Sequence, residues 1–282
     1  FESVSGYTTT GFTVVGDVEA LPKSLLFWRS STHFIGGLGV IVFLLLVLPD
    51  ASPFRLRMTN LELSSLSREG YRYRSSRTVW IISLVYLSIV IVETLLLWAA
   101  GMSLFDAINH AFSTVATGGF STRNASIGYY DSRLIELIVM FFMTISAIHF
   151  GAVFTFFTTG SFKVFRNPVI IFYLLTLLTG TLLSGADLFA RGTYPTLWQS
   201  LWEGAFHTIS FITTTGFSIA DPYKWPMFAS VILIYCGIQC GCSGSTTGGL
   251  KSDRVLIAFK AIGCEIKKRL HPNSVYSVHV GN

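Results

Sequence analysis

The sequence predicts an all-α polytopic membrane protein, and three observations predict it. Only 12% of the 282 residues are charged and 51% are hydrophobic, whereas a soluble domain carries about 25% charge. Apolar runs fill 28–48, 79–100, 134–159, 168–190 and 227–240, and the first four reach the roughly 20 residues that cross about 30 Å of hydrocarbon. Nearly the same six residues are written three times, as TTTGFT at 8–13, ATGGFS at 116–121 and TTTGFS at 213–218.

Charge orients the spans. The segments 52–77, 161–167 and 251–269 hold 14 of the 20 basic residues, and by the positive-inside rule they are expected on the cytoplasmic side, with the repeated motif facing outward. A net charge of +5 distributed in this way is a topology signal rather than a nucleic-acid footprint. The chain opens on Phe1 inside a motif-bearing stretch, and it reads as a fragment. Cys236, Cys240, Cys242 and Cys264 lie mostly in or beside an apolar span, where packing is expected rather than a disulfide framework or a transition-metal site.

Aligning Gly11, Gly119 and Gly216 gives a period of 108 and then 97 residues, too long for a solenoid unit. It fits an inward span, a basic turn, an outward span and a short segment ending in the motif. The sequence runs through spans 28–48 and 79–100 to the short stretch 104–115, and through 134–159 and 168–190 to 198–212. The short stretches cannot span a bilayer and are expected to be half-helices. The alignment places Glu2, His110 and His207 at one position and Ser5, Ser113 and Ser210 three residues on.

Extended backbone at membrane depth survives only when buried or lining a cavity, because unpaired carbonyls cost several kcal/mol each. Glycine reaches backbone angles closed to other residues. Several such segments around one axis would present rings of carbonyl oxygens in place of a cation's water shell, and half-helices running inward would aim their negative ends at the same point. The expected cation ligands are the carbonyls of Thr9, Thr10 and Gly11, of Thr117, Gly118 and Gly119, and of Thr214, Thr215 and Gly216.

The ordered set FESVSGYTTTGFT, FWRSSTHFIGGLGVIVFLLLVLP, HAFSTVATGGFST, FITTTGFS, GCSGSTTGGLK and HPNSVY resembles the TrkH/KtrB family of potassium-uptake proteins over nearly the whole chain. The resemblance implies potassium-channel-like helix–pore loop–helix repeats around a pseudo-fourfold pore, with the fourth repeat and the gate arginine missing here. It divides the chain into 1–51 (end of the first pore loop and an inward helix), 52–77 (basic loop), 78–160 (second repeat), 161–260 (third repeat) and 261–282 (start of the fourth). It also implies a multi-pass protein of the bacterial inner membrane, a homodimer, and a cytosolic nucleotide-binding regulatory subunit of the TrkA/KtrA kind. Potassium is the expected substrate and no cofactor is expected. Single glycines rather than a TVGYG run predict fewer ordered sites, and glycine rather than serine at the first such position favours potassium over sodium.

The span from 227 runs into Gly237, Gly241, Gly244, Gly248 and Gly249 with interleaved Ser and Thr, which breaks a helix. The resemblance makes Gly241, Cys242, Ser243, Gly244, Ser245, Thr246, Thr247, Gly248 and Gly249 an intramembrane gating loop beneath the filter. Thr247 stands where the family pattern GSTGGG has glycine, and a stiffer loop is expected.

Two rival readings remain. GCSG at 241–244 matches the GxSG of rhomboid proteases, but a serine nucleophile needs a base within reach. His271 and His279 follow a basic segment, and His149 precedes the serine. A cation-coupled secondary transporter would show inverted repeats and intramembrane acids. Only Glu93, in IVIVETLLLW, is such an acid. Glu2, His110 and His207 are expected to support the filter, Arg29 to sit at the outer interface or else to pair with an acid at the outer mouth, and the GGLG at 36–39 to pack helices.

Overall fold

The computed structural model describes residues 1–47 and 75–270. Of the basic loop expected over 52–77, residues 52–74 lie outside the described residues, as does the HPNSVY stretch from 271, while 75–77 already belong to a helix. The described residues are mostly helical, with irregular connections that include 8–22, 116–125, 213–221 and 241–249, and one bridge of two-residue strands. In order the helices are α1 (Glu2–Tyr7), α2 (Lys23–Val47), α3 (Ser75–Ala99), α4 (Leu104–Val115), α5 (Arg133–Ser146), α6 (Phe150–Thr159), α7 (Pro168–Ala190), α8 (Leu197–Ile212), α9 (Met227–Ile238) and α10 (Ser252–Leu270). Strands β1 (Gln239–Cys240) and β2 (Leu250–Lys251) pair in parallel between α9 and α10.

Helix starts are written in the sequence. Ser103 accepts the Asp106 N–H at 3.0 Å and donates its hydroxyl to Asp106 Oδ2 at 2.9 Å, which starts α4 with a reciprocal cap. Thr196 accepts the Gln199 N–H to start α8, and Asn167 with Pro168 at the first position starts α7.

α3 and α7 are each long and apolar enough to cross a membrane. They are apolar on every side, as a lipid-embedded helix should be. On α3, Leu84, Leu87, Ile91, Leu95 and Trp98 are exposed, while Val85, Tyr86, Ile89, Val90 and Leu97 face the protein.

The run 134–159, expected as one span, is broken. α5 and α6 meet at 102° across Ala147–His149. Neither proline nor glycine stands at this break, so a kink has to come from groups inserted into the helix ladder. Those groups come from residues 241–244: the Cys242 N–H donates to Ala147 O at 2.9 Å, and the Phe150 N–H donates to Gly244 O at 3.2 Å. His149 Nδ1 then caps the new helix by accepting the Gly151 N–H at 2.8 Å.

One apolar core joins Tyr86, Val115, Phe142, Phe150, Tyr173, Ile212, Cys236 and Cys242. A second gathers Leu97, Ala107, Ile127, Met143, Phe206 and Phe217 around the other parts of α4 and α8. The short helices α4 and α8 are thus held between long ones, with their C-terminal ends inside the protein.

Candidate functional site

The three threonine–glycine segments end α1, α4 and α8 with the same backbone. Thr9, Thr117 and Thr214 have φ of 52°, 53° and 55°, and the glycines two residues on have φ of 75°, 83° and 83°. In each copy the left-handed threonine donates its N–H to the carbonyl three residues back, and the next residue donates to the one five back: Thr10 to Ser5, Gly118 to Ser113 and Thr215 to Ser210, at 2.9, 2.9 and 3.0 Å. This is a Schellman end with a β-branched residue at the position that normally takes glycine. A left-handed threonine is strained by about 1–3 kcal/mol, and the fold holds that strain three times.

The segments are related by a repeated step. A methyl group added at Gly11 would overlap the Gly118 carbonyl oxygen, and one added at Gly119 would overlap the Thr215 carbonyl oxygen. Each of these glycines therefore lies on the carbonyl just before the next motif glycine. At Gly216 a methyl group would meet no described atom within 4 Å.

Side chains brace each copy. Ser5 donates to Phe12 O at 2.6 Å and Ser210 to Phe217 O at 2.7 Å, tying each half-helix to its return strand. In the middle copy Ser113 instead pairs with His33 Nδ1 at 2.8 Å. The His33 ring stacks on Phe120 at 4.1 Å and lies where a Gly118 side chain would be.

The aligned residues Glu2, His110 and His207 take comparable places. Glu2 Oε1 accepts from Thr13 Oγ1 and from the Val14 N–H, both at 2.8 Å. His110 Nε2 lies 2.9 Å from Ser121 Oγ, the position equivalent to Thr13. His207 Nε2 reaches further along, to Ala220 O at 3.2 Å.

Arg29 takes the second of its two expected places: it is buried and ion-paired with an acid, Glu2, at 2.8 Å, with its guanidinium over the Phe120 ring. Two other charged clusters carry no motif of their own. Asp106 pairs with Arg123 at 3.2 Å, and Arg133 lies between Glu136 at 2.9 Å and Glu203 at 3.6 Å. Asp106 and Glu203 each stand thirteen residues before a motif glycine, a signal that the alignment contained. Burial pushes the Asp106 carboxyl up, but the Thr122 and Ser103 hydroxyls and Arg123 outweigh it, leaving the group below its ordinary value.

The segment Gly241–Gly249 is a closed loop pinned at its base by the β1–β2 bridge. Its tip meets the half-helix ends: Thr246 Oγ1 donates to Val115 O at 2.9 Å, and the Gly248 N–H donates to Thr214 Oγ1 at 2.9 Å. Thr247 is bound on two sides. Its hydroxyl pairs with Ser245 Oγ at 2.8 Å and receives Lys251 Nζ at 3.1 Å, and its carbonyl also receives Lys251. Gly244, at φ 79°, lies flush on the His149 ring, where a side chain would collide. Ser243 donates its proton to Asp253 Oδ1 at 2.7 Å, so its hydroxyl is committed to a carboxylate rather than to an imidazole base. Glu93 is fully buried on α3. In the GGLG cluster, a side chain at Gly36 would collide with Tyr7 and one at Gly37 with Tyr86 and Ala116, so α2 lies against the ends of α1 and α4.

A helical protein with membrane-length spans, three short helices ended by the same backbone and a loop that reaches two of those ends falls in the class of membrane transport proteins. The chain belongs to the TrkH family of cation transport proteins, which it matches over residues 1–184 and 193–282. It is 37% identical over 284 residues to the Trk system potassium uptake protein TrkH of Salmonella typhimurium, covering 100% of this chain and 59% of that protein. It is 38% identical over 287 residues to Trk system potassium uptake protein TrkG of Escherichia coli, with 100% and 58% covered. The crystal structure of the potassium transporter TrkH from Vibrio parahaemolyticus superposes with a TM-score of 0.87 at 35% identity, over 99% of this chain and 57% of that one. The chain thus spans somewhat under 60% of the length of these relatives.

Proposed function

We propose that the chain forms three walls of a potassium uptake pathway in the bacterial inner membrane, as part of a multi-pass protein. The carbonyls of Thr9–Gly11, Thr117–Gly119 and Thr214–Gly216 line a selectivity filter, and Gly241–Gly249 closes the path beneath it. The observation that carries this reading is the repeated step from one motif to the next, in which Gly11 abuts Gly118 O and Gly119 abuts Thr215 O. Three segments with the same unusual backbone, the first two each leaning on the next, are what walls around one axis require. A fourth wall would face Gly216, where the described residues leave room. The named relatives, which are potassium uptake proteins, support the choice of ion.

The short helices end inside the protein, and their C-terminal dipoles favour a cation there. Glu2, His110 and His207 hold the return strands and so the carbonyl positions. The homodimer and a cytosolic nucleotide-binding subunit of the TrkA/KtrA kind remain part of the proposal and rest on the resemblance.

The test is rubidium-tracer flux into liposomes holding the full-length protein, with potassium, rubidium and sodium as competitors. Potassium and rubidium should compete, and sodium should compete poorly. Gly119→Ser should narrow the difference between potassium and sodium. Equal competition by sodium in the unmodified protein overturns the reading.

A further inference from the structure

The loop tip makes its two contacts on different walls, and both contacts use acceptors that a cation would use. At the end of α4, the Phe112, Ser113 and Thr114 carbonyls are taken by the N–H groups of Ala116, Gly118 and Thr117. Val115 O comes next, and the Thr246 hydroxyl of the loop takes it at 2.9 Å, with Ser146 O further off at 3.5 Å. On the neighbouring wall, Thr214 Oγ1 accepts the Gly248 N–H at 2.9 Å. Its counterpart in the second wall behaves differently: the Thr117 hydroxyl donates to Ala116 O at 2.7 Å. The second and third walls thus differ at this hydroxyl, and the loop is what the third one holds.

A helix-end carbonyl and a threonine hydroxyl are hard oxygen donors suited to a monovalent cation, and a helix C-terminus concentrates partial negative charge on them. In the structure they are satisfied by the positive ends of an O–H and an N–H carried two residues apart on the loop.

Resting on the pore reading above, we propose that Val115 O and Thr214 Oγ1 belong to an inner-end site for a dehydrated monovalent cation, and that the loop donors Thr246 and Gly248 compete with the ion for them. A ligand shifts an equilibrium only through its differential affinity for the two states. Here the difference has a structural source, because the ion gains these oxygens only when the loop has left them. Potassium at the inner end therefore favours the open loop, and loop closure expels the ion. The substrate acts as its own opener.

Cys240 and Cys242 lie at the loop base and are buried in the closed arrangement, so their reaction with a thiol reagent reports loop movement. The experiment uses the full-length protein in liposomes, with Cys236→Ala and Cys264→Ser, and compares labelling in potassium with labelling in N-methylglucamine. Tracer flux is measured on the same vesicles. Potassium should speed labelling about fivefold, the effect of roughly one lost hydrogen bond. Thr246→Val should label at the faster rate without potassium, and Thr246→Ser should restore the slow rate. Thr214→Val provides a second route by removing the other acceptor. A potassium-independent rate in vesicles that conduct potassium overturns the competition and leaves the pore reading standing. Vesicles that conduct none overturn both.

Discussion

Arg29 Nε donates to Glu2 Oε2 at 2.8 Å, joining the first half-helix to the long helix that follows it. The same guanidinium reaches Thr13 Oγ1 at 3.2 Å and Ser121 O at 3.4 Å, so one buried cation spans the first and second return strands. Removing one partner of such a pair leaves the other charge uncompensated, at a cost of about 3 kcal/mol. Arg29→Gln and Glu2→Gln should each lower the melting temperature of the detergent-solubilised protein. The double variant should fall short of the sum, because the interaction is lost only once.

Gly118 is required by His33. Its φ is not left-handed, so the objection to a side chain is the ring that fills the space. Gly118→Ala should cost about 1–3 kcal/mol through overpacking, measured by thermal unfolding. Combined with His33→Ala it should cost less than the two changes added together. Strict additivity would place the clash elsewhere.

The Asp106 carboxyl lies below its ordinary value because the hydroxyl and guanidinium bonds outweigh its burial. A carboxylate depressed in the folded state stabilises above its unfolded value of 3.8 and loses that contribution as pH falls through the folded one. Melting followed from pH 6 down to about pH 3 should therefore show a decline that Asp106→Asn flattens. At neutral pH that variant should be the less stable of the two.

Thr247 gives the loop a hydroxyl that holds Ser245 and Lys251. Thr247→Gly removes those bonds and restores the residue that the family pattern carries. Flux without any regulatory subunit should rise about fivefold for one net hydrogen bond lost. An unchanged or lower flux would mean that the hydroxyl does not hold the loop shut.

The helical class, the short helices 104–115 and 197–212 and the motifs that end them could be read from the sequence. Apolar runs of membrane length, the Ser103 and Thr196 caps and the thrice-written motif are all local signals, because caps and helix lengths depend on neighbours along the chain. It also marked 241–249 as broken, since glycines weaken a helix wherever they stand. The break at Ala147–His149 was not legible, because its cause is backbone from residues 242 and 244 entering a helix about a hundred positions away. An acid partner for Arg29 was one expected reading, but that it is Glu2 and that the pair is buried was not legible, nor was the fit of His33 to Gly118, since nothing in either segment names its partner. Only in the folded chain does Gly11 lean on Gly118 and Gly119 on Thr215, and only there does the loop take oxygens at the ends of α4 and α8. Such contacts join segments far apart in sequence, and only packing fixes which atoms meet.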